Sequence, residues 1–567
     1  MNSSIRYSRV FLLIVLAGLA ALILWPYFGK MTVPDESTFI YEGALTARGL
    51  IPYKDFFDFI FPGTFLAVSA IIHWCGGVVS LSALRLSALL MLGTCTGLTL
   101  DIGRRYLSPP WLLSLGLLFW ILNLPGGMEI QHHLFSTFFG MLSAYCMWRY
   151  VALTQHQKWL VLAGLAVGLS TLCTQSLGGM LGITLSIALI LSCRFQQQQR
   201  WGHALKTWLL SFAFPAALPM LLCIIWLWHA HALSDFRYDT ATWLLEGGYR
   251  QTSSTIYLMD GFTKFWSIIA SITRDARHVK LIWVRPDLTL YLPVLVILFI
   301  LPLLGLCWPP VYLWRKRQQG EAFRSADWPL ITLWLAALGF MLATLSYPNT
   351  RLVGYHGFIP CLLSAMFLQT VLKNKPRLSR MLFGVWLAFA LTTGLVQAMQ
   401  SYAMLTGPRF VSYGTAEKEL YNDRFPQEYV PAYNQLTQLI RMATPSGKTL
   451  FIYNQAPELY LLTQRDNPTR YQLLMALYNT PEQIKEATQA VAAQPPAILI
   501  YDRQDELDFT RDYRFHTLRR YDYHLHGLEA LLSTRYHPVA QMASMTIFAP
   551  NPTQATTIRN AQRMIER

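Results

Sequence analysis

Two adjacent carboxylates, Asp35 and Glu36, follow directly on the first hydrophobic run of the chain. A carboxylate at a membrane surface is costly unless it is paired or used. One interpretation is structural: Asp35 caps a helix that runs to about Arg48 and ends at Gly49. The other is chemical: a partly desolvated Asp35 is a general base that removes a proton from a hydroxyl. The spacing allows both, and we predict Asp35 as the base and Glu36 as a substrate contact.

A second acidic residue, Glu129, is followed three positions later by His132, with His133 next to it. The Glu-x-x-His spacing places both side chains on one face of a helix. Together with Asp35 they could bind a divalent metal. The simpler alternative is a set of interfacial polar residues at a helix start, and orientation of a substrate is favoured over a metal. We predict His132 as a substrate contact, with Glu129 beside it.

Cationic residues suited to a phosphate lie beside two other hydrophobic runs. Arg351 and His356 precede a late run, and Arg85 lies at the end of an early one. Arginine binds phosphate through paired hydrogen bonds, although arginines at interfaces also extend toward lipid headgroups without binding a substrate. Tyr53 and Lys54, in an aromatic loop rich in Pro and Gly, are further predicted substrate contacts.

The composition is that of a polytopic membrane protein. Of 567 residues, 53% are hydrophobic and 14% are charged, against roughly 25% charged in soluble domains. The net charge is +15, but residues 401–567 contain 17 basic and 16 acidic residues, so the excess belongs to the first 400 residues. It lies in short loops between hydrophobic runs, which is the positive-inside pattern and not a nucleic-acid-binding face. The eight cysteines lie in or beside hydrophobic runs without a CxxC pair, which predicts no disulfide framework.

The hydrophobic runs predict about eleven membrane spans. The first, residues 10–28, is predicted to be a retained signal anchor with a cytoplasmic N-terminus. If residues 64–79 also crossed the membrane, basic loops such as Arg104-Arg105 would lie outside. We therefore predict that residues 64–79 lie on the outer face or dip in and return. This choice places the loop with Asp35 and the C-terminus on the outer side.

From about residue 401 the pattern changes to that of an α/β domain. The predicted elements are strands at 450–453 and 497–501 and helices at 481–493 and 528–536. A strand–helix–strand order at this spacing predicts a small βαβ layer. No Gly-rich phosphate loop follows either strand, which argues against nucleotide binding. We predict a transmembrane catalytic domain over residues 1–400 and an extracytoplasmic α/β domain over 401–567.

The first-loop motif resembles the GT-C superfamily of polyprenyl-phosphate-sugar transferases. The residues that carry the resemblance are Pro34-Asp35-Glu36, Tyr41, Gly49, Pro52-Tyr53, Asp55-Phe56 and Pro62-Gly63. The motif is similar to the branch containing protein O-mannosyltransferases and lipid A aminoarabinose transferases. The resemblance implies an outward-facing active site with Asp35 as catalytic base. It also implies a second catalytic acid in the next outer loop. This chain has Glu129 there in place of the usual Asp, so the resemblance makes Glu129 the second predicted catalytic residue.

Together these features predict an inverting glycosyltransferase of the bacterial inner membrane, a polytopic α-helical protein with a C-terminal α/β domain. The resemblance implies a polyprenyl-phosphate-linked sugar as donor and a hydroxyl of a lipid, glycan or protein as acceptor. No cofactor is assigned, and a divalent cation stays open. The alternatives are a transporter or flippase, which would carry ionisable residues in mid-membrane, and a polymerase or ligase of lipid-linked saccharides.

Overall fold

The structure, a computed structural model, describes residues 23–32, 34–123, 128–246, 286–320, 324–344, 354–422, 427–453, 456–474, 479–502, 527–542 and 545–566. Its first part is helical. The helices are α1 (Pro34–Ala47), α2 (Gly63–Trp74), α3 (Leu81–Gly103), α4 (Pro109–Asn123), α5 (His132–Arg149), α6 (Gln157–Cys173), α7 (Gln175–Gln196), α8 (Trp201–His229), α9 (Leu233–Arg237), α10 (Trp243–Glu246), α11 (Pro286–Gln318), α12 (Trp328–Thr344), α13 (Phe358–Leu372) and α14 (Pro376–Thr406). Most of the predicted signal anchor, and Arg351, lie outside the described residues.

Four of the described helices are long and apolar enough to cross a membrane: α3, α7, α8 and α14. Their 22 to 31 residues correspond to lengths above the roughly 30 Å hydrocarbon core, at 1.5 Å per residue. Helices α2, α6, α12 and α13 are apolar but shorter, with 12 to 17 residues. The fold is therefore mostly helical, with the apolar helices expected of a membrane protein.

The helices of the bundle approach one another closely where glycine replaces a side chain. Gly164 and Gly168 lie one turn apart on α6, on the face that packs against α8. A Cβ at Gly164 would overlap the carbonyl oxygen of Phe212, and one at Gly168 that of Ala216. Small residues at this spacing let two apolar helices pack backbone to backbone, which is how membrane helices associate without a hydrophobic driving force.

Helix α2 is too short to cross the bundle. Its 12 residues span about 18 Å. The chain before it pairs at Lys30 with Tyr421, and the chain after it pairs at Val79 with Thr415. Both partners belong to one short segment of the C-terminal part, so residues 31–79 leave and return at the same end of the bundle. This geometry agrees with the prediction that residues 64–79 do not span.

The basic segments between helices gather at the opposite end of the bundle. Helix α3 starts beside Glu417, whose carboxylate accepts the N–H groups of Leu81 and Ser82 at 3.2 and 2.8 Å. Its 23 residues end at Gly103, just before Arg104. Hydrogen bonds at that far end join Tyr145 to Asp101 (2.9 Å), Gln196 to Val151 (3.1 Å) and Ser108 to Gln369 (2.8 Å). The basic residues of the helix ends, Arg104, Arg149, Arg194 and Lys373, therefore lie on one side, as the charge pattern predicts.

The C-terminal part, from Arg409, contains the described strands. They are β1 (Arg409–Val411), β2 (Glu419–Tyr421), β3 (Leu450–Tyr453), β4 (Ile498–Asp502), β5 (His537–Met542) and β6 (Met545–Ala549). Strands β1 and β2 form an antiparallel hairpin, and the other four form a mixed sheet in the order β3-β4-β6-β5. The helices are α15 (Tyr429–Ala443), α16 (Pro457–Thr463), α17 (Pro481–Ala493), α18 (Leu528–Arg535) and α19 (Pro552–Glu566).

The predicted strand–helix–strand unit is present in this sheet. Strands β3 and β4 are parallel, as a crossover connection requires, and α17 lies between them in sequence. Helix α17 starts with a capping box in which Thr480 and Gln483 exchange hydrogen bonds, with Pro481 in the first turn. Every residue of β3 is buried. The antiparallel strands β5 and β6 and the hairpin β1–β2 were not predicted from the sequence.

Candidate active site

Helix α1 carries the first two predicted site residues in its first turn. The helix begins at Pro34, a favoured first helical residue, so Asp35 lies inside the helix and is not its cap. Acidic residues there are stabilised by the helix dipole. Asp35 is exposed, whereas Glu36 is fully buried. Helix α1 ends at Ala47, and Gly49 follows with φ +89°, as predicted for a glycine that ends a helix.

Glu36 forms a buried ion pair with Arg85 of α3. Arg85 Nη2 donates to Glu36 Oε2 at 2.7 Å, and Nε donates to Oε1 at 3.2 Å. Arg85 Nη1 donates to the carbonyl oxygens of Lys30 and Tyr27 at 2.5 and 3.2 Å. Both charged side chains are inaccessible to solvent. Glu36 and Arg85 therefore neutralise each other inside the protein. The structure does not favour the predicted contact of either side chain with substrate.

Glu129 lies in a second buried ion pair next to the first. Its Oε1 accepts from Lys30 Nζ at 3.0 Å, and both side chains are buried. The backbone N–H of Ile130 donates to Glu36 Oε1 at 3.2 Å, so Glu36 connects α1, α3 and the loop before α5. Lys30 was missed in the sequence analysis, although a lysine at the end of a hydrophobic run beside two predicted acids was a usable signal. The predicted catalytic Glu129 is thus brought close to α1, but as the partner of a lysine.

Three histidines meet near the start of α5. The ring centroids of His132 and His133 are 3.8 Å apart, and those of His133 and His356 are 6.2 Å apart. His356 is buried, and its Nδ1 is 2.8 Å from Thr344 Oγ1. Among the described residues, His132 Nδ1 and His356 Nε2 have no hydrogen-bond partner. Buried polar atoms are normally paired, so these two nitrogens are candidates for binding an external group.

The histidine cluster lies against the helix of Asp35. The ring of Phe39, one turn after Asp35 on α1, is 5.0 Å from the ring of His132. With the bond from Ile130 to Glu36, this contact fixes the start of α5 beside the first turn of α1. The structure therefore brings Asp35, Glu129, His132 and His356 to one region of the molecule, at the end where α3 begins.

The two predicted contacts of the aromatic loop differ in exposure. Tyr53 is fully buried with φ +71°, its hydroxyl donates to the carbonyl oxygen of Ile60 at 2.7 Å, and its ring faces Phe236 at 5.0 Å. Tyr53 therefore shapes the loop from inside and is not placed to touch a substrate. Lys54 is exposed and has its ammonium 3.3 Å from the carbonyl oxygen of Ala230.

The described part of the chain offers no complete set of ligands for the alternative of a divalent metal site. No group of three or more His, Cys, Asp and Glu side chains there is arranged to hold a metal ion. Lys30 occupies the position beside Glu129 that a cation would take. Ammonium and metal are alternatives for such a carboxylate, since each neutralises the same charge.

The sequence matches no protein-family profile and no curated protein. Among solved structures, ArnT from Cupriavidus metallidurans in the apo state matches with a TM-score of 0.53 at 13% identity, over 97% of this chain and 99% of that one. ArnT bound to undecaprenyl phosphate matches with a TM-score of 0.51 at 12% identity, over 96% and 99%. ArnT, the lipid A aminoarabinose transferase, is a GT-C glycosyltransferase. This chain has the GT-C fold.

A second GT-C neighbour supports the same conclusion. The archaeal oligosaccharyltransferase AglB from Archaeoglobus fulgidus, in complex with an inhibitory peptide and a dolichol-phosphate, has a TM-score of 0.51 at 12% identity, over 97% of this chain and 75% of that one. At such low identity the likeness defines the fold alone. The resemblance stated from the first-loop motif is therefore confirmed at the level of the GT-C fold, over nearly the whole chain.

Proposed function

We propose that this protein is an inverting membrane glycosyltransferase that moves a sugar from a polyprenyl-phosphate donor to an acceptor hydroxyl. The GT-C fold supports a lipid-phosphate donor in general terms, since neighbours with this fold bind undecaprenyl phosphate or dolichol phosphate. The single observation that carries the proposal is the exposed Asp35, which α1 holds beside two buried ion pairs. The neighbouring histidine cluster has two ring nitrogens without a hydrogen-bond partner among the described residues.

Asp35 is the general base in this proposal. Its carboxylate takes the proton of the acceptor hydroxyl while the acceptor oxygen attacks the anomeric carbon of the sugar. The bond between the anomeric carbon and the phosphate oxygen breaks, and polyprenyl phosphate leaves with the electron pair. A positioned base of this kind contributes roughly 10²–10⁴-fold to a rate. Reaction from the face opposite the phosphate inverts the configuration at the anomeric carbon.

The donor phosphate is bound by the histidine cluster and by nearby cations. His132 Nδ1 and His356 Nε2 are the open nitrogens, and a ring N–H at either one can donate to a phosphate oxygen. Lys54 is exposed and can reach an anion as a point charge. Arg351 stays a proposed phosphate contact from the sequence, outside the described residues. Arg85, by contrast, is assigned to holding α1 through Glu36.

Glu36 and Glu129 act by position in this proposal. Glu36 holds Arg85 and the N–H of Ile130, and Glu129 holds Lys30. Together these contacts fix the first turn of α1 against the loop before α5. A divalent cation bridging Asp35 and the donor phosphate is the alternative arrangement, and chelation distinguishes the two.

We propose that the active site and the C-terminal part lie on the outer face of a bacterial inner membrane. The support is the separation of charge: the basic ends of α3, α5, α7 and α13 lie opposite the site, as the positive-inside pattern predicts for cytoplasmic loops. About eleven spans, a catalytic domain over 1–400 and an extracytoplasmic α/β domain over 401–567 complete this topology. The acceptor is a lipid, a glycan or a protein hydroxyl, and no nucleic acid is involved.

The test is donor consumption by the purified protein in lipid vesicles. With a radiolabelled polyprenyl-phosphate sugar and an acceptor extract from cell envelopes, we expect label to leave the lipid and appear in an acceptor without any added nucleotide. The expected co-product is polyprenyl phosphate in equal amount. If the labelled lipid only moves from one leaflet to the other and is never consumed, the protein is a flippase and the proposal is wrong.

A further inference from the structure

A groove lies between α3 and α4 at the end of the bundle opposite the candidate active site. Leucines form much of its walls: Leu100 on α3, and Leu112, Leu113 and Leu117 on α4. Its volume of about 600 Å³ falls within the roughly 300–1,000 Å³ of small-molecule sites. Apolar walls offer water no hydrogen-bond partners, so this α3–α4 groove suits an apolar chain.

Two glycines make room for the α3–α4 groove. Gly97 on α3 and Gly116 on α4 both line it. Among the described residues, a Cβ at Gly97 would meet no atom within 4 Å, and one at Gly116 would meet only the side chain of Leu100, at 3.8 Å. Gly164 and Gly168, by contrast, bring two helix backbones into contact. The glycines of the groove therefore widen a gap between helices instead of closing one.

One end of the α3–α4 groove is charged. Arg104, directly after α3, lines this end together with Asp101. Arg104 Nη2 lies 2.6 Å from Asp101 Oδ1, and the arginine side chain is still 64% exposed. Gly97 lies about two turns, or roughly 10 Å, further into the helix. The groove thus runs from a charged end to an apolar interior, which is the polarity of a phospholipid from headgroup to acyl chain.

The charged end of the groove has more arginines than acids. Asp101 Oδ2 accepts from the hydroxyl of Tyr145 at 2.9 Å, and Arg149 Nη1 donates to the same hydroxyl at 3.3 Å. Arg105 follows Arg104 and is exposed. These arginines together outweigh the single carboxylate of Asp101, so this end attracts an anion.

We propose that the α3–α4 groove binds one anionic phospholipid from the leaflet at this end of the bundle. Its phosphate lies at Arg104 and Arg105, and one acyl chain lies between α3 and α4. Under the proposed topology this is the cytoplasmic leaflet, where basic pockets between membrane helices bind the headgroups of anionic lipids. A guanidinium has several N–H donors, so Arg104 can keep its contact with Asp101 and still donate to a phosphate.

This lipid site is separate from the proposed site of sugar transfer. Asp35 and the histidine cluster lie at the end where α3 begins, whereas the groove is charged where α3 ends. A donor whose phosphate is beside Asp35 cannot also place it at Arg104. The inference therefore goes beyond the proposed function and does not depend on it.

Native mass spectrometry of the purified protein in detergent tests the headgroup contact. The protein is titrated with phosphatidylglycerol, which is anionic, and with phosphatidylcholine of the same acyl chains, which has no net charge. We expect the first phosphatidylglycerol to bind roughly tenfold or more tightly than the first phosphatidylcholine. Arg104→Gln and Arg105→Gln should each raise the Kd for phosphatidylglycerol about fivefold and leave the Kd for phosphatidylcholine unchanged.

The matched control for the arginine variants is Arg200→Gln. Arg200 is an exposed arginine just before α8 and does not line the groove. Its replacement should leave the Kd for phosphatidylglycerol unchanged. If Arg200→Gln weakens binding as much as Arg104→Gln does, the lipid is attracted by the general positive charge of this end, and the groove is wrong.

Variants that fill the groove test the acyl chain without changing the charge. Gly97→Leu places a side chain in open space and favours the helix, so the protein should fold and melt at or above the wild-type temperature. We expect it to raise the Kd for phosphatidylglycerol about tenfold. Gly179→Leu is its control, because Gly179 is an exposed glycine on α7 with equally open space around its Cβ.

Two results would overturn the proposal. One is an equal Kd for the two lipids in wild type together with no change in Gly97→Leu. The other is a rise in melting temperature that glycerol phosphate, which has no acyl chain, produces as fully as phosphatidylglycerol. Selective binding of phosphatidylglycerol that is weakened by both Arg104→Gln and Gly97→Leu, and by neither control, supports the lipid site.

Discussion

Arg85 donates two hydrogen bonds, of 2.7 and 3.2 Å, to the carboxylate of Glu36, and solvent reaches neither side chain. The pair joins the first turn of α1 to the start of α3. A third hydrogen bond, from the N–H of Ile130 to Glu36, connects the loop before α5 to this pair. Asp35 is the neighbour of this junction and the only one of the two adjacent acids that is exposed. One carboxylate of the Asp-Glu motif therefore fixes the backbone while the other faces outward.

Removing one partner of this pair should destabilise the protein strongly. Arg85→Met leaves Glu36 buried without its cation, and breaking a buried pair costs about 3–5 kcal/mol. Glu36→Gln should cost less, because Arg85 keeps the carbonyl oxygens of Tyr27 and Lys30 as acceptors. The amide oxygen can also still accept the N–H of Ile130. The melting temperature in detergent measures both effects. The double variant Arg85→Met/Glu36→Leu should regain part of the lost melting temperature. An Arg85→Met protein as stable as wild type would contradict the role of the ion pair in holding α1 to α3.

Variants of Glu129 and Lys30 test whether Glu129 only positions the loop before α5 or takes part in catalysis. Lys30→Met should destabilise by about 3–5 kcal/mol, because it removes the ammonium that pairs with the buried Glu129 carboxylate. The double variant Lys30→Met/Glu129→Gln removes both charges and should recover most of the stability. If Glu129 only positions the loop, transfer by the double variant should stay within about tenfold of wild type. A loss of 10²-fold or more in a stable double variant would return Glu129 to the role of a catalytic residue.

The histidine cluster should determine affinity for the donor. His356→Ala and His132→Ala each remove a nitrogen proposed to bind the phosphate. A hydrogen bond to a charged group contributes about 1.5–3 kcal/mol, which corresponds to a rise of roughly 10- to 100-fold in the KM for the polyprenyl-phosphate sugar.

The KM for the acceptor should not change in these variants. His73→Ala is the control, because His73 is exposed near the end of α2, away from the cluster. Equal changes in both KM values, or an unchanged donor KM, would mean that the cluster does not bind the phosphate.

Chelation should leave transfer intact. The acids next to Asp35 are neutralised by Arg85 and Lys30, so the site needs no metal to hold them together. Protein washed with EDTA is expected to retain its rate when assayed with metal-free donor. A rate that disappears on washing and returns with Mg²⁺ or Mn²⁺ would instead favour a cation that bridges Asp35 and the donor phosphate.

The sequence predicted best the features that depend on neighbouring residues. The capping box of Thr480 and Gln483 starts α17 where the pattern predicts it, and the glycine after α1 has the positive φ that its position suggests. The charge in the loops predicts that the run containing α2 does not cross the membrane, and the 12-residue length of α2 agrees with that prediction.

Partnerships between distant segments were beyond prediction from the sequence. Lys30 and Glu129 are 99 residues apart, and Gln472 meets Glu42 across 430. Arg85 illustrates the consequence: an arginine at a helix end has the same local pattern whether it binds a phosphate or a buried carboxylate. Only the packing of α1 against α3 decides between them, and that packing depends on the whole fold.

Asp35→Asn tests the central claim most directly. The amide keeps the size and the helical position of the side chain but cannot accept a proton. Transfer from labelled polyprenyl-phosphate sugar should fall by roughly 10²–10⁴-fold, with the melting temperature and the donor KM close to wild type. The control Asp466→Asn, which removes an exposed carboxylate elsewhere, should be fully active. Near wild-type transfer by a well-folded Asp35→Asn protein would contradict the assignment of Asp35 as the base.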